Sequence, residues 1–396
     1  MLRALQIALL LLVSMLFGFF YGITMKQRNI LHSILHFRDS RTLSNLTPVQ
    51  IMTEFQEPTR TGFTSIKPTS PQQTTQKNLV TEQNGISKTS KMSTNAKNIR
   101  LNEINPLYVL RHGNGIIFLE TGDRTQPPAL VLCALESAAR VYPERPVVFF
   151  IKGLSDVNTK YDEENIQRKF PTLSSFPNIY IFPLKLEEVF KDTPLLSWFQ
   201  KTNRDLEQYW IHVSSDGCRL ALIWKYGGIY MDSDIISIRP IPGHNFLAAQ
   251  FPLESNNAIF GLSTHHEFPW VAMTDFVKNY KGAVWGHQGP QLFTRVLKNY
   301  CDFSKFDGIE DIVCGNISFL NPQRFYPISY PQWRRYYEIW KSFPTFNDSY
   351  GLHLWNTMNK EQISMVPGDK TLVQHLYQEY CPTTYAAFAT NEKIPH

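Results

Sequence analysis

Asp232 and Asp234 stand one residue apart in "KYGGIYMDSDIISIRPIP", in the middle of an otherwise apolar run. Bare charges are costly inside a fold unless something neutralises them. Two aspartates at i and i+2 of a turn can face one oxygen-loving divalent ion, directly or through water. An ion of the magnesium or manganese type keeps open positions for phosphate oxygens, and as a Lewis acid it stabilises charge on a leaving diphosphate. The competing reading is an aspartate turn whose side chains serve backbone hydrogen bonds. An EF-hand fits poorly: Ser237 stands where that loop needs glycine, and Gly243 where it needs the closing glutamate. Upstream, Asp216 and Arg219 are three apart in "SSDGCRLALIWKYGG", which puts them on one face of a helix.

The elements that must position these residues follow from the pattern of apolar runs. "GIIFLET" (115–121), "PVVFFIKG" (146–153) and "NIYIFPL" (178–184) read as strands, and "PALVLCALESAARVY" (128–142) as a helix opened by proline. Strand, helix, strand in this rhythm predicts a parallel α/β sheet, with ligands bound beyond the carboxyl ends of the strands. The spacing predicts a helix beginning near Ser215, with Asp216 and Arg219 in its first turn, stopped by Gly227 and Gly228. "IYMDSD" then reads as a strand with Asp232 and Asp234 at its carboxyl end. In "WGHQGPQ", Pro290 opens a helix running to Tyr300 and leaves Trp285, His287 and Gln288 in the preceding loop. "HLWN" offers His353, an acceptable manganese ligand, although a histidine beside Trp355 is equally at home in a core. Between Phe319 and Trp355 there are twelve aromatics in 37 residues. Trp333, Tyr336, Tyr337 and Trp340 fall at i, i+3, i+4 and i+7, the apolar face of a helix, and belong to the core. "RFYPISYPQW", kept irregular by its prolines, is the better wall for a sugar.

The ends of the chain are of another kind. From Leu5 to Ile23 there is no charge, and only Gln6 and Ser14 are clearly polar; that length suits a helix crossing a hydrocarbon core of roughly 30 Å. The run ends in bulky "FFYGITMK" with no small-residue cleavage site, so residues 1–25 are expected to be an uncleaved signal anchor. Lys26, Arg28, Arg38 and Arg41 follow the span and by the positive-inside rule place the rest in the cytosol. The sequons at Asn45, Asn316 and Asn347 argue for a secretory lumen instead. Residues 26–112, rich in Ser, Thr, Gln, Asn and Lys with no sustained period, read as a disordered stalk, leaving 113–396 as the folded domain. The stalk holds 12 Lys/Arg against 5 Asp/Glu, and the folded part 26 against 29. The overall net charge of +5 therefore belongs to the tether, which argues against nucleic acid as a partner. None of the five cysteines forms a C-x-x-C pair, so a structural zinc site is unsupported. Cys301 with Cys314 is the favoured disulfide, and Cys218, inside an apolar helical run, the favoured free thiol.

"SDGCRLALIWKYGGIYMDSD" resembles the D-x-D sugar-transferase pattern of retaining, nucleotide-sugar-dependent glycosyltransferases. The likeness extends through "WGHQGPQLFTRV", "RFYPISYPQWRRYYEIW", "LHLWN" and "YCPTTY", from Gly115 to about Tyr385, and together these resemble the Golgi α-1,4-glycosyltransferases. The resemblance implies a single-pass type II Golgi membrane protein with a lumenal catalytic domain, which sides with the sequons. It implies a GT-A fold, a Rossmann-like nucleotide-sugar-binding sheet flanked by helices, with Mn²⁺ as cofactor and retention at the anomeric carbon. Carried onto this chain, Asp232 and Asp234 are the metal and diphosphate site, with His353 as a further ligand. Asp216, Arg219 and Tyr230 fall to the donor, and Trp285, His287 and Gln288 to the acceptor. The expected reaction transfers N-acetylglucosamine from UDP-N-acetylglucosamine (UDP-GlcNAc) to a terminal β-galactose of mucin-type O-glycans. The rivals are an α-1,4-galactosyltransferase using UDP-galactose on a lactosylceramide-type glycolipid, and a lumenal carbohydrate-binding protein that has lost turnover.

Overall fold

β-Branched and aromatic residues build the first strands; both faces of the first two are buried, and the third, at the sheet edge, is half-buried. In the computed structural model, which describes residues 105–155 and 160–390, these are β1 (Ile116–Glu120), β2 (Val147–Ile151) and β3 (Ile179–Pro183). They run parallel, with Ile116 opposite Val147 and Val147 opposite Ile179. β4 (Gly228–Met231) joins β1 in parallel on its other side. Beyond β4 the chain leaves the sheet at β5 (Ile235–Ser237) and returns as the hairpin of β6 (Phe246–Phe251) and β7 (Glu254–Leu262). β7 pairs antiparallel with β4, and β8 (Ile312–Cys314) and β9 (Ile317–Leu320) complete the far edge. The order is β3-β2-β1-β4-β7-β6-β9-β8. The expected parallel sheet is therefore a mixed α/β sheet: β3-β2-β1-β4 and the β6-β9 pair run parallel, and the β4-β7, β7-β6 and β9-β8 pairs run antiparallel. Tight hairpins such as β6–β7 can only make antiparallel pairs.

The period of two sends successive residues to opposite cores. Ile116, Phe118, Val147, Phe149, Ile229 and Met231 pack with the helix Ala129–Val141 and the C-terminal helices Leu372–Tyr380 and Pro382–Ala389. Ile117, Leu119, Val148, Phe150 and Tyr230 face the other way, towards the helices Trp210–Tyr226, Glu267–Lys278 and Pro290–Leu297. A disulfide between Cys133 and Cys381 ties the last helix to the first of these layers. Beside it, the buried Glu136 carboxylate accepts hydrogen bonds from Thr383 N, Thr384 N and Thr384 Oγ1, capping that helix. Cys301 and Cys314 form the second disulfide, and Cys218 is a buried free thiol, as the sequence suggests.

Three expected elements differ in extent. The helix carrying Asp216 starts at Trp210, not near Ser215, because Trp210 packs on Trp198 at 5.7 Å and Val213 is buried. Asp216 and Arg219 therefore lie in its second and third turns. The helix after Pro290 ends at Leu297 rather than Tyr300, where the chain turns to bring Cys301 to Cys314. Tyr330–Tyr337 is a run of 3₁₀ turns, not an α-helical face, and Trp340 lies past its end. A period of three eclipses Trp333 and Tyr336, and those two are the buried ones.

The signal anchor expected at 1–25, most of the 26–112 stalk and the Asn45 sequon lie outside the described residues. Among the described residues no helix is long and apolar enough to cross a membrane. Folded structure is already present ahead of the expected boundary at 113: a short helix, Pro106–Val109, is capped by Asn105, and Val109 and Leu110 are buried against the core. Two apolar side chains of this kind are worth about 1.5–3 kcal/mol each when buried. A fragment beginning at residue 113 should thus be less stable than one beginning at residue 100 by a few kcal/mol. Chemical denaturation of the two fragments checks this, and equal midpoints would return residues 105–112 to the stalk.

Candidate active site

Helix, strand and turn converge where β4 ends. Gly227 caps the Trp210–Tyr226 helix at φ +66°, and a side chain there would stand 2.7 Å from Thr264 N. Gly228, at φ +97°, lies so close to β1 that a Cβ would meet Gly115 O at 2.3 Å. The glycine pair lets the helix reverse directly into β4. β4 delivers Tyr230 to the helix face and Asp232 to its carboxyl end, as expected. Asp232 N then donates to Ala258 O at 2.7 Å, and Ile235 N closes the turn on Asp232 O at 3.1 Å.

β5 continues from this turn and pairs antiparallel with β10 (Gly351–His353), Ile235 opposite His353. This two-stranded sheet brings a residue 119 positions downstream to the D-x-D turn. His353 Nε2 lies 3.3 Å from Asp234 Oδ1, and Asn356 N donates to Asp234 Oδ2 at 2.8 Å. Trp355, with φ 57°, folds back so that its ring stands edge-on to His353 at 4.2 Å, and its Nε1 donates to Ile328 O.

On the other side of the turn is Arg219, almost fully buried, with every side of its guanidinium occupied. Nη1 meets Asp232 Oδ1 at 3.0 Å and donates to Asn257 O at 2.8 Å. Nη2 donates to Ser215 Oγ and lies 3.6 Å from Asp216 Oδ1. Its carbon centre sits 4.5 Å over the Tyr230 ring, and the Tyr230 hydroxyl donates to Asp232 Oδ1. Asp216 in turn accepts from Asn257 Nδ2 at 2.7 Å. Burial pushes the Asp216 carboxyl up to about 6, against the pull of Arg219 and the Asn257 hydrogen bond. Burial also raises Asp232, with Arg219 opposing. At Asp234 burial acts upward, but His353 outweighs it and the carboxyl falls below its ordinary value; burial lowers His353, but Asp234 outweighs it and the imidazole is raised.

One carboxylate oxygen from each of Asp232 and Asp234 and one ring nitrogen of His353 lie within 4.8 Å of one another. Two hard oxygens and an imidazole suit a divalent ion of the manganese type. Asp216, Asp232 and Asp234 together outnumber Arg219, so the pocket favours added positive charge. These residues line a cleft of about 600 Å³ at the carboxyl ends of β1 and β4. Its walls include Glu120 at the end of β1, Thr121 and Arg124 after it, and Tyr209, His212 and Trp285 at the mouth.

The comparisons with known proteins agree along the chain. The description "Glycosyltransferase sugar-binding region containing DXD motif" matches residues 128–253, and "Alpha 1,4-glycosyltransferase conserved region" matches 261–388. An Alpha-1,4-N-acetylglucosaminyltransferase of Homo sapiens is 54% identical over 277 residues, 70% of this chain and 81% of that one. The chain belongs to the α-1,4-glycosyltransferase family. A Lactosylceramide 4-alpha-galactosyltransferase of Mus musculus is 40% identical over 69% of this chain and 75% of its own. The solved PaToxG glycosyltransferase overlaps loosely, at TM-score 0.36 and 16% identity, over 47% of this chain and 69% of that one.

Of the residues expected in this α-1,4-glycosyltransferase's site, Asp216, Arg219, Tyr230, Asp232, Asp234 and His353 come together. The three residues expected at the acceptor differ in setting: Trp285 and Gln288 line the cleft and His287 the neighbouring hollow. Trp285 is 49% exposed at the cleft mouth, edge-on to His212 at 4.6 Å and to Tyr209 at 5.2 Å. Gln288 is buried, its Nε2 donating to Phe276 O and its Oε1 accepting from Lys281 N, so it pins the loop. Both nitrogens of His287 meet protein oxygens, on Gln291 and Asn279. Asn257 was missed by sequence reasoning. The signal was an asparagine pair, Asn256–Asn257, inside an apolar strand.

Two predictions follow from this packing. Arg219 is a bracket for Asp216 and Asp232 as well as a wall of the cleft, so Arg219→Ala leaves two half-buried carboxylates without their buried cation. Breaking a fully buried pair costs about 3–5 kcal/mol, and the partial exposure of the two carboxylates brings the loss here to about 1–3 kcal/mol. Denaturation should show that loss; transfer lost at unchanged stability would mean instead that Arg219 serves the ligand alone. Gly289 faces the same network, since a Cβ there would stand 2.9 Å from Asn257 Oδ1 and 3.1 Å from Asp216 Oδ1. Overpacking of this kind costs about 1–3 kcal/mol. Gly289→Ala should therefore lower kcat/KM roughly tenfold or more for the donor, and unchanged steady-state kinetics would show that the loop yields.

Proposed function

We propose that the protein is a retaining α-1,4-N-acetylglucosaminyltransferase of the GT-A type. It takes UDP-GlcNAc as donor, a terminal β-galactose of mucin-type O-glycans as acceptor, and Mn²⁺ as cofactor. The observation that carries the reading is the convergence of Asp232, Asp234 and His353 on the cleft of a chain so similar to a relative of that name. Held by those three residues, the ion would act as a Lewis acid on the donor's diphosphate. Asp216, kept in place by Asn257 and Arg219, presents its carboxyl to the hydroxyls of the donor sugar. Tyr230 fixes Asp232 by hydrogen bond and supports Arg219 by its ring. Trp285, exposed at the mouth, offers an apolar face to an acceptor sugar.

The location we propose is the Golgi lumen, reached through a type II anchor in residues 1–25 and a stalk in the residues that follow, ahead of the Pro106–Val109 helix. Two disulfides suit an oxidising compartment. Asn316 and Asn347, both in sequons, are exposed and open to glycosylation.

The test is a donor panel on a fragment beginning near residue 100, with a β-galactoside as acceptor. Transfer from UDP-GlcNAc, abolished by chelator and restored by Mn²⁺, is the expected outcome. Asp234→Asn should fold with an unchanged melting temperature within a few degrees and lose transfer, because an amide cannot supply the same charge. Transfer from UDP-galactose alone would favour the galactosyltransferase reading. Binding of glycans without transfer from any donor would leave a carbohydrate-binding protein, and full activity in chelator would remove the metal from the site.

A further inference from the structure

A second hollow of about 600 Å³ adjoins the cleft and shares Glu254 and Gln291 with it. Its other walls include Phe251, Leu253, His287 and Lys298. Aromatic rings form a track between the two. Trp355, edge-on to His353, lies 6.0 Å from Tyr330, and Tyr330 lies 5.6 Å from Phe251 in the outer hollow. Tyr330 is exposed and Leu253 is 54% exposed, so the track and the hollow present apolar surface to solvent beside the polar cleft.

Glu254 stands at the junction, half-buried at the start of β7. The carboxylates deeper in the cleft are already taken: Asp216 by Asn257, Asp232 by Arg219 and Tyr230, Asp234 by His353 and Asn356 N, and Glu120 by Gly122 N. Among the described residues none donates a hydrogen bond or ion pair to the Glu254 carboxylate. An unengaged carboxylate beside aromatic faces is the surface that a neutral sugar recognises. Its hydroxyls donate to the carboxylate while its C–H face lies on the rings.

We propose that the outer hollow is a subsite for the second sugar of a neutral oligosaccharide acceptor, the unit preceding the terminal residue. Glu254 accepts hydrogen bonds from the acceptor's hydroxyls at the junction, and Tyr330 and Phe251 carry its C–H faces. This deepens the transferase reading and rests on it. The chain would then select acceptors by length as well as by their terminal sugar.

The test compares a β-galactose monosaccharide glycoside with a disaccharide glycoside ending in the same β-galactose, under one saturating donor concentration. The wild type should show a KM for the disaccharide at least tenfold below that for the monosaccharide. Phe251→Ala should raise the disaccharide KM roughly three- to tenfold, with kcat and the monosaccharide KM unchanged. Glu254→Gln should raise the disaccharide KM about tenfold or more, since a charged hydrogen bond is lost, and equilibrium UDP affinity should stay as in wild type. Equal KM values for the two acceptors in the wild type, or variants that keep the wild-type preference, would overturn the subsite. A wild type that transfers to neither acceptor overturns the transferase reading itself, which separates the two failures.

Discussion

The Arg219 guanidinium, sealed between helix and sheet, holds the site together. It bridges Ser215 and Asp216 on the helix, Asp232 on the turn and Asn257 on β7, and it stacks on Tyr230 of β4. Three consecutive segments, helix, strand and turn, and the later strand β7 thus share one cation. A buried cation is costly unless its partners are charged and hydrogen-bonded, and here each of its edges has one. The same arithmetic binds the partners. Asp232 and Asp216 are buried far enough that burial raises both, and Arg219 is the main force resisting that rise. The D-x-D turn is therefore a place where negative charge is concentrated by the fold and only partly balanced by it.

The remaining imbalance is set up by a second device, the short antiparallel pair of β5 and β10. Because Ile235 lies opposite His353, the strand leaving the D-x-D turn and the strand bringing the histidine are locked in register by backbone bonds. A one-residue slip would send His353 to the opposite face. Leu354 N donating to Asp234 O and Asn356 N to Asp234 Oδ2 extend the lock to the aspartate itself. The left-handed Trp355 follows at once and turns the chain along the cleft. A backbone conformation that costs a non-glycine residue energy is held there by the Trp355 indole, which is hydrogen-bonded to Ile328 and packed on Tyr326.

Local pattern made part of this visible in advance. The strands around 116–120, 147–151 and 179–183, the helix from Ala129, and the Gly227–Gly228 stop all carry strong local signals, and each lies where its pattern puts it. The grouping of Asp216, Arg219, Asp232 and Asp234 was legible because helix, glycine stop and strand are consecutive. What was not legible depends on pairing over distance. The mixed sheet arises from the order in which β6, β7 and β9 add to β4, and no single strand encodes that order. The start of the Trp210–Tyr226 helix is decided by Trp198, from another helix, and the 3₁₀ character of Tyr330–Tyr337 by where Trp333 and Tyr336 must point. Gln288 reads as a polar loop residue, and only the fold turns it inward onto Phe276 O.

The division of labour along the cleft follows from the same contrast between rigid and open parts. Residues near the D-x-D turn spend their polar groups on each other, so the inner site has little freedom to adapt and is suited to one fixed chemical group. Towards the mouth the polar groups are less committed and the apolar ones less covered: Trp285 stands half out of the surface, Tyr330 is exposed, and Glu254 has no protein partner among the described residues. Rigid first contacts make a reacting group's position reproducible, whereas an open rim can be recut by single substitutions without disturbing the core. In this chain the physical boundary between the two regimes runs through Asn257, whose side chain serves Asp216 on the inner side and lies against Gly289, the residue before the Pro290 helix, on the outer.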